Sequence, residues 1–475
     1  MLDTIIGTVN NVLWGEWQVL IYLLVAAGLW FTFRLGALQL RHFGHMFTLI
    51  RGSTTADAAG ISSFQALCTS LSARVGTGNL AGVAMAISLG GAGAVFWMWV
   101  IAILGMATGF AESLLAQVYK VRDQHREFRG GPAYYIQQGL GSRWLAVLFS
   151  ICLFLGYGLF FSAMQANTIT DALNYAHGIP THWTGAVITL LAGIIVIGGL
   201  RSIARFAEIV VPFMGVAYVL TALIITAINF AAVPDLIGTI VTSAFGLQEA
   251  GAGALGAAIK NGIQRGLYSN EAGAGSAPHA AASASPHPNH PAVQGYVQML
   301  GVFFDTLVLC TCTAIIILLA GGTASGEPEG IRLTQEAMSV HMGDYGVYFV
   351  SIAISFFAFT SVVANYAYAE SNLRVFKCDT KLGRGVYTVA YLGMVLWGSG
   401  ASLAAVWAAA DMALGLMTVV NVTALILLTP TIVAVSKDYF AKRDAGNEVT
   451  FKLTDCMVQG SPEPDIWTGE KRAKA

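Results

Sequence analysis

The sequence predicts an all-α polytopic membrane protein, and three observations predict it. Of its 475 residues, 56% are hydrophobic and only 11% charged, with a mean hydropathy of +0.66; soluble domains carry about a quarter charged residues. Apolar runs recur along the chain, and a helix crosses a bilayer with about 20 such residues. The connections between the runs alternate between basic and base-poor, the pattern set by the excess of Lys and Arg in cytoplasmic loops. A net charge of −1 gives no electrostatic footprint for nucleic acid. Cys68, Cys152, Cys310 and Cys312 lie in apolar runs, and Cys378 and Cys456 in polar segments, so the cysteines do not read as a disulfide framework. The chain opens without a basic n-region or a small-residue cleavage site, so no removable signal peptide is expected.

Residues 1–16 read as a short, slightly acidic lead and 15–33 as the first span. A second span, 61–89, is interrupted near Gly76-Thr77-Gly78. Spans follow at 92–118, 144–174, 183–200 and 206–230. Residues 235–284 combine a short surface segment with a second interrupted helix, broken between Ser269 and Gly275. The last spans fall at 292–320, 346–373, 385–409 and 412–436, which makes eleven. Residues 437–475 are polar and are expected to form a solvated cytoplasmic tail.

Charge placement supports this count. Arg34, Arg41 and Arg51 fall in one connection, Lys120, Arg122, Arg126, Arg129 and Arg143 in another, then Arg201 and Arg205, then Arg374, Lys377, Lys381 and Arg384, then Lys437, Lys442 and Arg443. The intervening connections hold Asp235 and Glu249, and a lone Arg332 against Glu327, Glu329, Glu336 and Asp344. Every basic segment lies on one side if the N-terminus is outside and the C-terminus cytoplasmic. A bacterial-type plasma (inner) membrane is the expected location.

With the first span set aside as an extra helix, ten spans divide into five plus five, 61–230 and 250–436, and each five begins with a broken helix. The first break enters from the basic side and the second from the other. Such a pair points to an inverted repeat with its site at the midplane. The expectation is a single transporter domain over 1–436.

The first break, Ser72-Ala-Arg-Val-Gly-Thr-Gly-Asn79, carries the chemistry. Glycines weaken a helix there, and freed backbone groups are tolerated in lipid only where they line a cavity or meet a ligand. Free carbonyls near Val75 carry partial negative charge, and free amides near Asn79 partial positive charge. One break can therefore hold a cation on one side and a carboxylate on the other, as a cation-coupled amino-acid carrier must. Close packing of a glycine-rich helix is the bland alternative.

The second break places Ser269, Asn270 and Glu271 at membrane depth, where polar groups are costly and usually functional. Glu271 is open to three roles: ion ligand, proton carrier, or latch between helices. Gln165, Ile169 and Leu173 form an i, i+4, i+8 stripe, offering one amide and an apolar wall to a substrate. Thr360 and Ser361 supply hard oxygens suited to sodium, unless both bond back to their own helix; Asn365 is one turn on from Ser361. Asp305 stands alone in an apolar run, with Arg74 a conceivable partner, although Arg74 could also snorkel to cytoplasmic water. Glu112 is placed at the interfacial end of its span.

Other patterns are set aside. Gly251-Ala-Gly-Ala-Leu-Gly256 lacks the strand context of a dinucleotide site. His279, His287 and His290 lack cysteine or carboxylate companions for a metal and read as a polar cytoplasmic turn. Asn421-Val-Thr423 matches a glycosylation signal inside a span. No nucleophile constellation supports an enzyme.

Together, Gly76-Thr-Gly-Asn79-Leu-Ala-Gly82 and Ser269-Asn-Glu-Ala-Gly-Ala-Gly-Ser276 resemble the alanine or glycine:cation symporter family. So do Gly93-Ala-Val-Phe-Trp-Met-Trp99, Arg129-Gly-Gly-Pro-Ala-Tyr-Tyr135 and Phe304-Asp-Thr306, and the resemblance covers roughly residues 15–440. It implies the five-plus-five inverted-repeat fold of the leucine transporter with one extra helix, and symport of a small neutral amino acid with sodium. Sodium is then a co-transported ligand, with no other cofactor and no obligatory protein partner. By the resemblance, amides near Thr77, Gly78 and Asn79 hold the substrate carboxylate. Gln165 and carbonyls around Ser269 and Gly273 hold its ammonium, and Ile169, Leu173, Ala274, Ser361 and Asn365 bound its side chain. Carbonyls of Ser72, Val75 and Phe357 and the Thr360 and Ser361 hydroxyls hold sodium. Many members carry tryptophan where Asn365 stands, so this chain is expected to admit a somewhat larger or polar substrate. Proton coupling through Glu271 or Asp305, a channel, and a non-transporting amino-acid sensor are the rival readings.

Overall fold

A computed structural model describes residues 2–51, 53, 60–123, 126–246, 252–322, 330–446 and 448–469. Glu249, Glu327 and Glu329, used above to grade connections, lie outside the described residues, as does Gly251. Among the described residues helices dominate, with one small hairpin and a non-helical stretch at 448–469. Helix α1 (Leu2–Leu13) is followed by the apolar α2 (Val19–Arg34) and by α3 (Leu38–Arg41) and α4 (Phe43–Arg51). The first interrupted span is α5 (Ser63–Arg74), a wide-turn stretch Gly78–Gly82, and α6 (Val83–Gly90). Helix α7 (Gly93–Val118) leads to the hairpin β1 (Val121–Arg122) and β2 (Phe128–Arg129), paired antiparallel, and to α8 (Pro132–Gly139). Helices α9 (Arg143–Leu155) and α10 (Phe161–His177) run on through a wide turn at Gly156–Phe160; α11 (Thr181–Val196), α12 (Gly199–Ile228) and α13 (Val233–Ala244) follow.

The second interrupted span is α14 (Ala252–Asn270) and α15 (Ala277–Ser283). Helices α16 (Pro291–Val302) and α17 (Thr311–Leu319) join through a wide-turn stretch, Phe303–Cys310. Then come α18 (Ile331–Met342), α19 (Asp344–Glu370), α20 (Lys381–Gly398), α21 (Leu403–Leu427) and α22 (Thr429–Asp444). Proline opens α8, α15, α16 and α22, where its missing N–H is not needed and its fixed φ suits the first turn.

Among the described residues, six continuous helical stretches are long and apolar enough to cross a membrane, Gly93–Val118, Arg143–His177, Gly199–Ile228, Pro291–Leu319, Asp344–Glu370 and Leu403–Leu427. Shorter apolar helices cover Val19–Arg34, Gly78–Gly90, Thr181–Val196 and Phe230–Ala244. Helix α7 is the hub, packed against α14, α16, α2, α15 and α13. Helix α12 exposes Ile209, Phe213, Val216, Leu220 and Ile224 while burying Ala207, Val211, Met214 and Tyr218. An exposed stripe that apolar suits lipid, not water.

Four expectations need correction. The turn between the last two spans lies at 399–402, not at 410–411. Asp411 reads as a loop residue in the sequence, but it is buried in α21 and paired with Arg265. The 1–16 lead is helical, and α1 packs on α21 through Asn10 Nδ2 to Ala408 O at 2.8 Å and Trp14 Nε1 to Asp411 O at 3.1 Å. The connection 321–345 contains α18, which buries Leu333, Ala337 and Met338 and donates from Thr334 Oγ1 to Leu80 O at 3.1 Å.

Finally, the tail is not a free solvated segment. The boundary at 436/437 falls inside α22, and residues 448–469 fold back on the end of the molecule that carries the basic connections. Phe451 and Trp467 are buried there. Phe451 N donates to Asn289 O at 3.1 Å, Trp467 Nε1 to Gln117 O at 2.9 Å, Tyr119 OH to Gln459 O at 2.7 Å and Ser461 N to Gln138 O at 3.0 Å. Its polar composition hid the two aromatic anchors.

Candidate functional site

The first break forms because two amides turn away from the helix. Helix α5 starts on a capping box, Gln65 N to Ser62 Oγ at 3.0 Å and Ser62 N to Gln65 Oε1 at 3.1 Å. It stops at Val75, whose backbone is extended. Gly76 N donates to Asn79 Oδ1 at 3.0 Å instead of to Ser72 O, and Asn79 N donates to Gly76 O at 3.3 Å instead of to Val75 O. The carbonyls of Ser72 and Val75 are thereby released at the negative end of the half-helix.

Helix α19 delivers hydroxyls to those carbonyls. Ser361 Oγ lies 2.8 Å from Ser72 O, 3.4 Å from Val75 O and 3.2 Å from Phe357 O. Thr360 Oγ1 lies 2.8 Å from Phe357 O and 3.4 Å from Ser72 O. All five oxygens that the resemblance implies for sodium converge, and Thr360 and Ser361 are buried. Neutral, hard and buried, the set suits a small hard cation with no carboxylate among its ligands. The back-bonding alternative is also present, since both hydroxyls reach Phe357 O in their own helix; the same carbonyl serves both arrangements.

On the other side of the break, Thr77 N and Thr77 Oγ1 both donate to Gln165 Oε1, at 2.9 Å and 2.7 Å. An amide oxygen thus sits at the start of the restarted helix, where a carboxylate is favoured. A Cβ on Gly76 would come within 2.5 Å of Ser361 Oγ and 2.7 Å of Gln165 Oε1, and one on Gly78 within 3.2 Å of Ser269 Cα. The glycines let the cation side, Gln165 and the second break touch.

In the second break, α14 ends at Asn270, and Glu271, Gly273 and Gly275 take φ of 55°, 93° and 87°. Asn79 bridges the breaks, donating from Nδ2 to Ser269 Oγ at 3.1 Å and to Asp305 Oδ1 at 2.8 Å. Ser269 Oγ donates to Asp305 Oδ2 at 2.5 Å, and Thr306 Oγ1 to the same oxygen at 2.8 Å. Asp305 therefore holds polar groups of both breaks and forms no ion pair with Arg74 among the described residues. Arg74 does not snorkel either: it is 2% exposed, with Nη1 on Gln298 O at 3.3 Å and Nε and Nη2 unpartnered. Glu271 Oε2 accepts from Ser276 Oγ at 2.5 Å, and Asn270 Oδ1 from Ala272 N at 3.0 Å. Ala274 is fully buried beside them.

Glu112 is not interfacial. It is buried, and its Oε2 accepts from Asn421 Nδ2 at 2.9 Å; the same amide donates to Gly273 O at 2.9 Å, and Tyr135 OH donates to Asn421 Oδ1. Sequence order placed Glu112 at a helix end, but α15 and α16 pack on α7 and Asn421 of α21 reaches over to Glu112. His279 is buried inside α15, whereas His287 and His290 do lie in the turn before α16, His287 exposed and His290 buried as the helix cap. His279 Nδ1 faces Ser276 O at 2.9 Å, and His290 Nδ1 accepts from Ala292 N at 3.1 Å.

Two stripe residues also border a second space. Ile169 and Leu173 line an apolar cleft with Trp183, Val187, Phe356 and Phe359. Steps of four residues drift by about 40° each on a 3.6-residue helix, so Leu173 sits about 80° around from Gln165. Asn365 stays close, buried, with Nδ2 3.5 Å from Ser162 Oγ and Oδ1 unpartnered.

Both ends carry buried ion pairs whose acidic partners the sequence did not identify. At one end Arg265 grips Asp411 by two bonds of 3.1 Å and 3.0 Å, with Gln264 Nε2 at 3.0 Å. Arg265 lies 4.6 Å over Trp407, and Trp407, Tyr268, Phe161 and Tyr157 follow in successive ring contacts of 4.9, 5.2 and 4.7 Å. At the basic end Arg129 pairs with Asp123 at 3.1 Å and Glu370 at 3.6 Å, and Arg384 with Glu370 at 3.6 Å and Asp379 at 2.7 Å. There Lys120 Nζ donates to Ala284 O at 2.9 Å, and Gln117 Nε2 to Ala284 O at 3.0 Å and to Ala281 O.

The sodium:alanine symporter family model matches residues 1–453. The chain is 45% identical over 456 residues to the amino-acid carrier protein AlsT of Bacillus subtilis (strain 168), covering 96% of each. It is 42% identical over 452 residues to the probable sodium/glutamine symporter GlnT of the same organism, covering 95% of this chain and 93% of the relative. Its fold is similar to a crystal structure of MhsT in complex with L-phenylalanine, with a TM-score of 0.55 at 13% identity, over 85% of this chain and 93% of that one.

Proposed function

This chain belongs to the sodium:alanine symporter family, and on that premise we propose that it moves a small neutral amino acid inward with sodium by alternating access. The observation that carries the reading is the meeting of five oxygens at the carbonyl end of α5, with Thr77 one turn away. Sodium takes Ser72 O, Val75 O, Phe357 O, Thr360 Oγ1 and Ser361 Oγ. The substrate carboxylate displaces Gln165 Oε1 from Thr77 N and Oγ1 and extends toward Gly78 and Asn79. The freed Gln165 oxygen and the carbonyls near Ser269 take the ammonium. Gly273 O already accepts from Asn421 and holds the break in shape.

Eleven spans arranged as one extra helix, α2, plus two inverted sets of five, 61–230 and 250–436, agree with the two broken helices and with the similarity to MhsT. The basic end is assigned to the cytoplasm, with the N-terminus outside and a plasma (inner) membrane location. Sodium filling the carbonyl end stiffens the break and prepares the amides. The Arg265–Asp411 and Arg129–Glu370–Arg384 contacts open in turn. Ala274, Ser361 and Asn365 bound the side chain, and the unpartnered Asn365 Oδ1 accepts from a substrate hydroxyl or amide. Uptake of labelled alanine into proteoliposomes under a sodium gradient, with serine and glutamine as competitors, tests this. Saturable, sodium-dependent uptake inhibited by both competitors supports it. Accumulation driven by a proton gradient alone would move coupling to Glu271 or Asp305, and binding without accumulation would make the protein a sensor.

A further inference from the structure

Away from the transport path, the basic end holds a cavity of about 310 Å³. Its walls include Tyr134 and Gln137 of α8, Arg143 at the start of α9, Arg374 and Lys377 of the turn after α19, and Glu463 of the folded-back segment. Three cations face one carboxylate. The neighbouring acids are committed elsewhere, Asp123 and Glu370 to Arg129, and Asp379 and Glu370 to Arg384. Arg374 Nη1 donates to Arg122 O at 3.0 Å, and among the described residues none of the three cations is in an ion pair. Topology alone calls for basic residues at this end, but it does not call for three of them converging on one recess with a single carboxylate, Glu463, among them.

The recess opens at the start of α9 and beyond the end of α19. Trp144, next to Arg143, is 71% exposed, the placement of an interfacial aromatic. Leu148 and Ile151 of α9, and Leu382 and Val386 of α20, are exposed apolar surface close by. Arginine forks and a lysine ammonium match the oxygens of a phosphate group, and basic pockets between spans on the cytoplasmic side hold anionic headgroups.

We propose that this cavity binds a phosphate oxyanion, supplied by the headgroup of an anionic phospholipid, and that Glu463 is the built-in anion competing with it. The folded-back segment thereby becomes part of a lipid-responsive surface, since the same segment places Trp467 on Gln117, next to the end of α15.

The test uses the full chain in zwitterionic detergent micelles, titrated with phosphatidylglycerol or phosphatidylcholine, and separately with inorganic phosphate or chloride at matched ionic strength. Bound lipid is counted by native mass spectrometry, and thermal shift follows both series. Phosphatidylglycerol is expected to bind in preference to phosphatidylcholine. The double variant Arg143→Gln with Lys377→Gln binds it at least about tenfold more weakly, and Glu463→Gln about fivefold more tightly. The opposite sign of the Glu463 effect separates a lost site from a misfolded protein. Saturable stabilisation by inorganic phosphate, lost in the double variant, would keep the site and assign it a soluble ligand. Equal binding by all three proteins, or no preference for either phosphate probe over its control, would overturn the proposal.

Discussion

Replacing Thr360 by valine tests the cation site at a single atom. Valine keeps the β-branched shape and removes the hydroxyl that lies 2.8 Å from Phe357 O and 3.4 Å from Ser72 O. Four of the five oxygens remain. A polar contact to a charged group contributes about 1.5–3 kcal/mol, so losing one by about 2 kcal/mol raises half-saturating sodium about 30-fold. The assay is initial alanine uptake into proteoliposomes against sodium concentration, repeated against alanine at saturating sodium. Alanine half-saturation is expected to stay within about twofold, because Thr77 and Gln165 are untouched. A sodium curve superimposable on wild type would refute the site. So would a loss of alanine affinity with sodium dependence intact.

Four further outcomes follow from the geometry. Asp411→Asn leaves a buried guanidinium without its counter-charge and should cost about 3–5 kcal/mol of stability in detergent, whereas Arg265→Met with Asp411→Leu should recover most of it; a single variant as stable as the double would contradict the pairing. Gly275→Ala combines a φ of 87° with a Cβ 2.7 Å from Pro132 Cγ and should abolish uptake, while Gly215→Ala, with open space around it, should leave uptake intact. Deleting residues 445–475 should speed hydrogen exchange at Ala281–Ala284, because Trp467 no longer steadies Gln117; unchanged exchange would show that the folded-back segment does not brace α15. Burial, then the charges of Arg443 and His42, depress His45 to about 4, so the folded protein favours neutral His45. Its contribution is present above about 6.5, the unfolded value, and is lost as pH falls toward 4. Melting temperature should drop across that window, and less so in His45→Gln.

The two breaks were legible because their signals are local. Gly76 and Gly78 flank Thr77, Gly273 and Gly275 flank Ala274, and both regions form where those residues permit positive φ or close approach. The five oxygens proposed for sodium were named through the family resemblance, with the Thr360–Ser361 hydroxyl pair the local sign. What stayed hidden depends on distant partners. Asp411 looks like a loop residue until Arg265, 146 positions earlier, lies beside it. Glu112 looks interfacial until Asn421 closes over it. The polar tail looks free until Phe451 and Trp467 find their seats. Leu173 sits about 80° around from Gln165, at the margin of one helix face, where it also meets the cleft beside Trp183.

The account's central claim is that one break couples two ligands, and reverse coupling tests it most directly. Proteoliposomes with equal sodium on both sides are given an inward alanine gradient, and radioactive sodium is followed. The account predicts transient accumulation of sodium above its equilibrium level, absent without alanine and abolished when Thr360 and Ser361 lose their hydroxyls. Alanine entry with no sodium movement, or sodium entry indifferent to alanine, would contradict it.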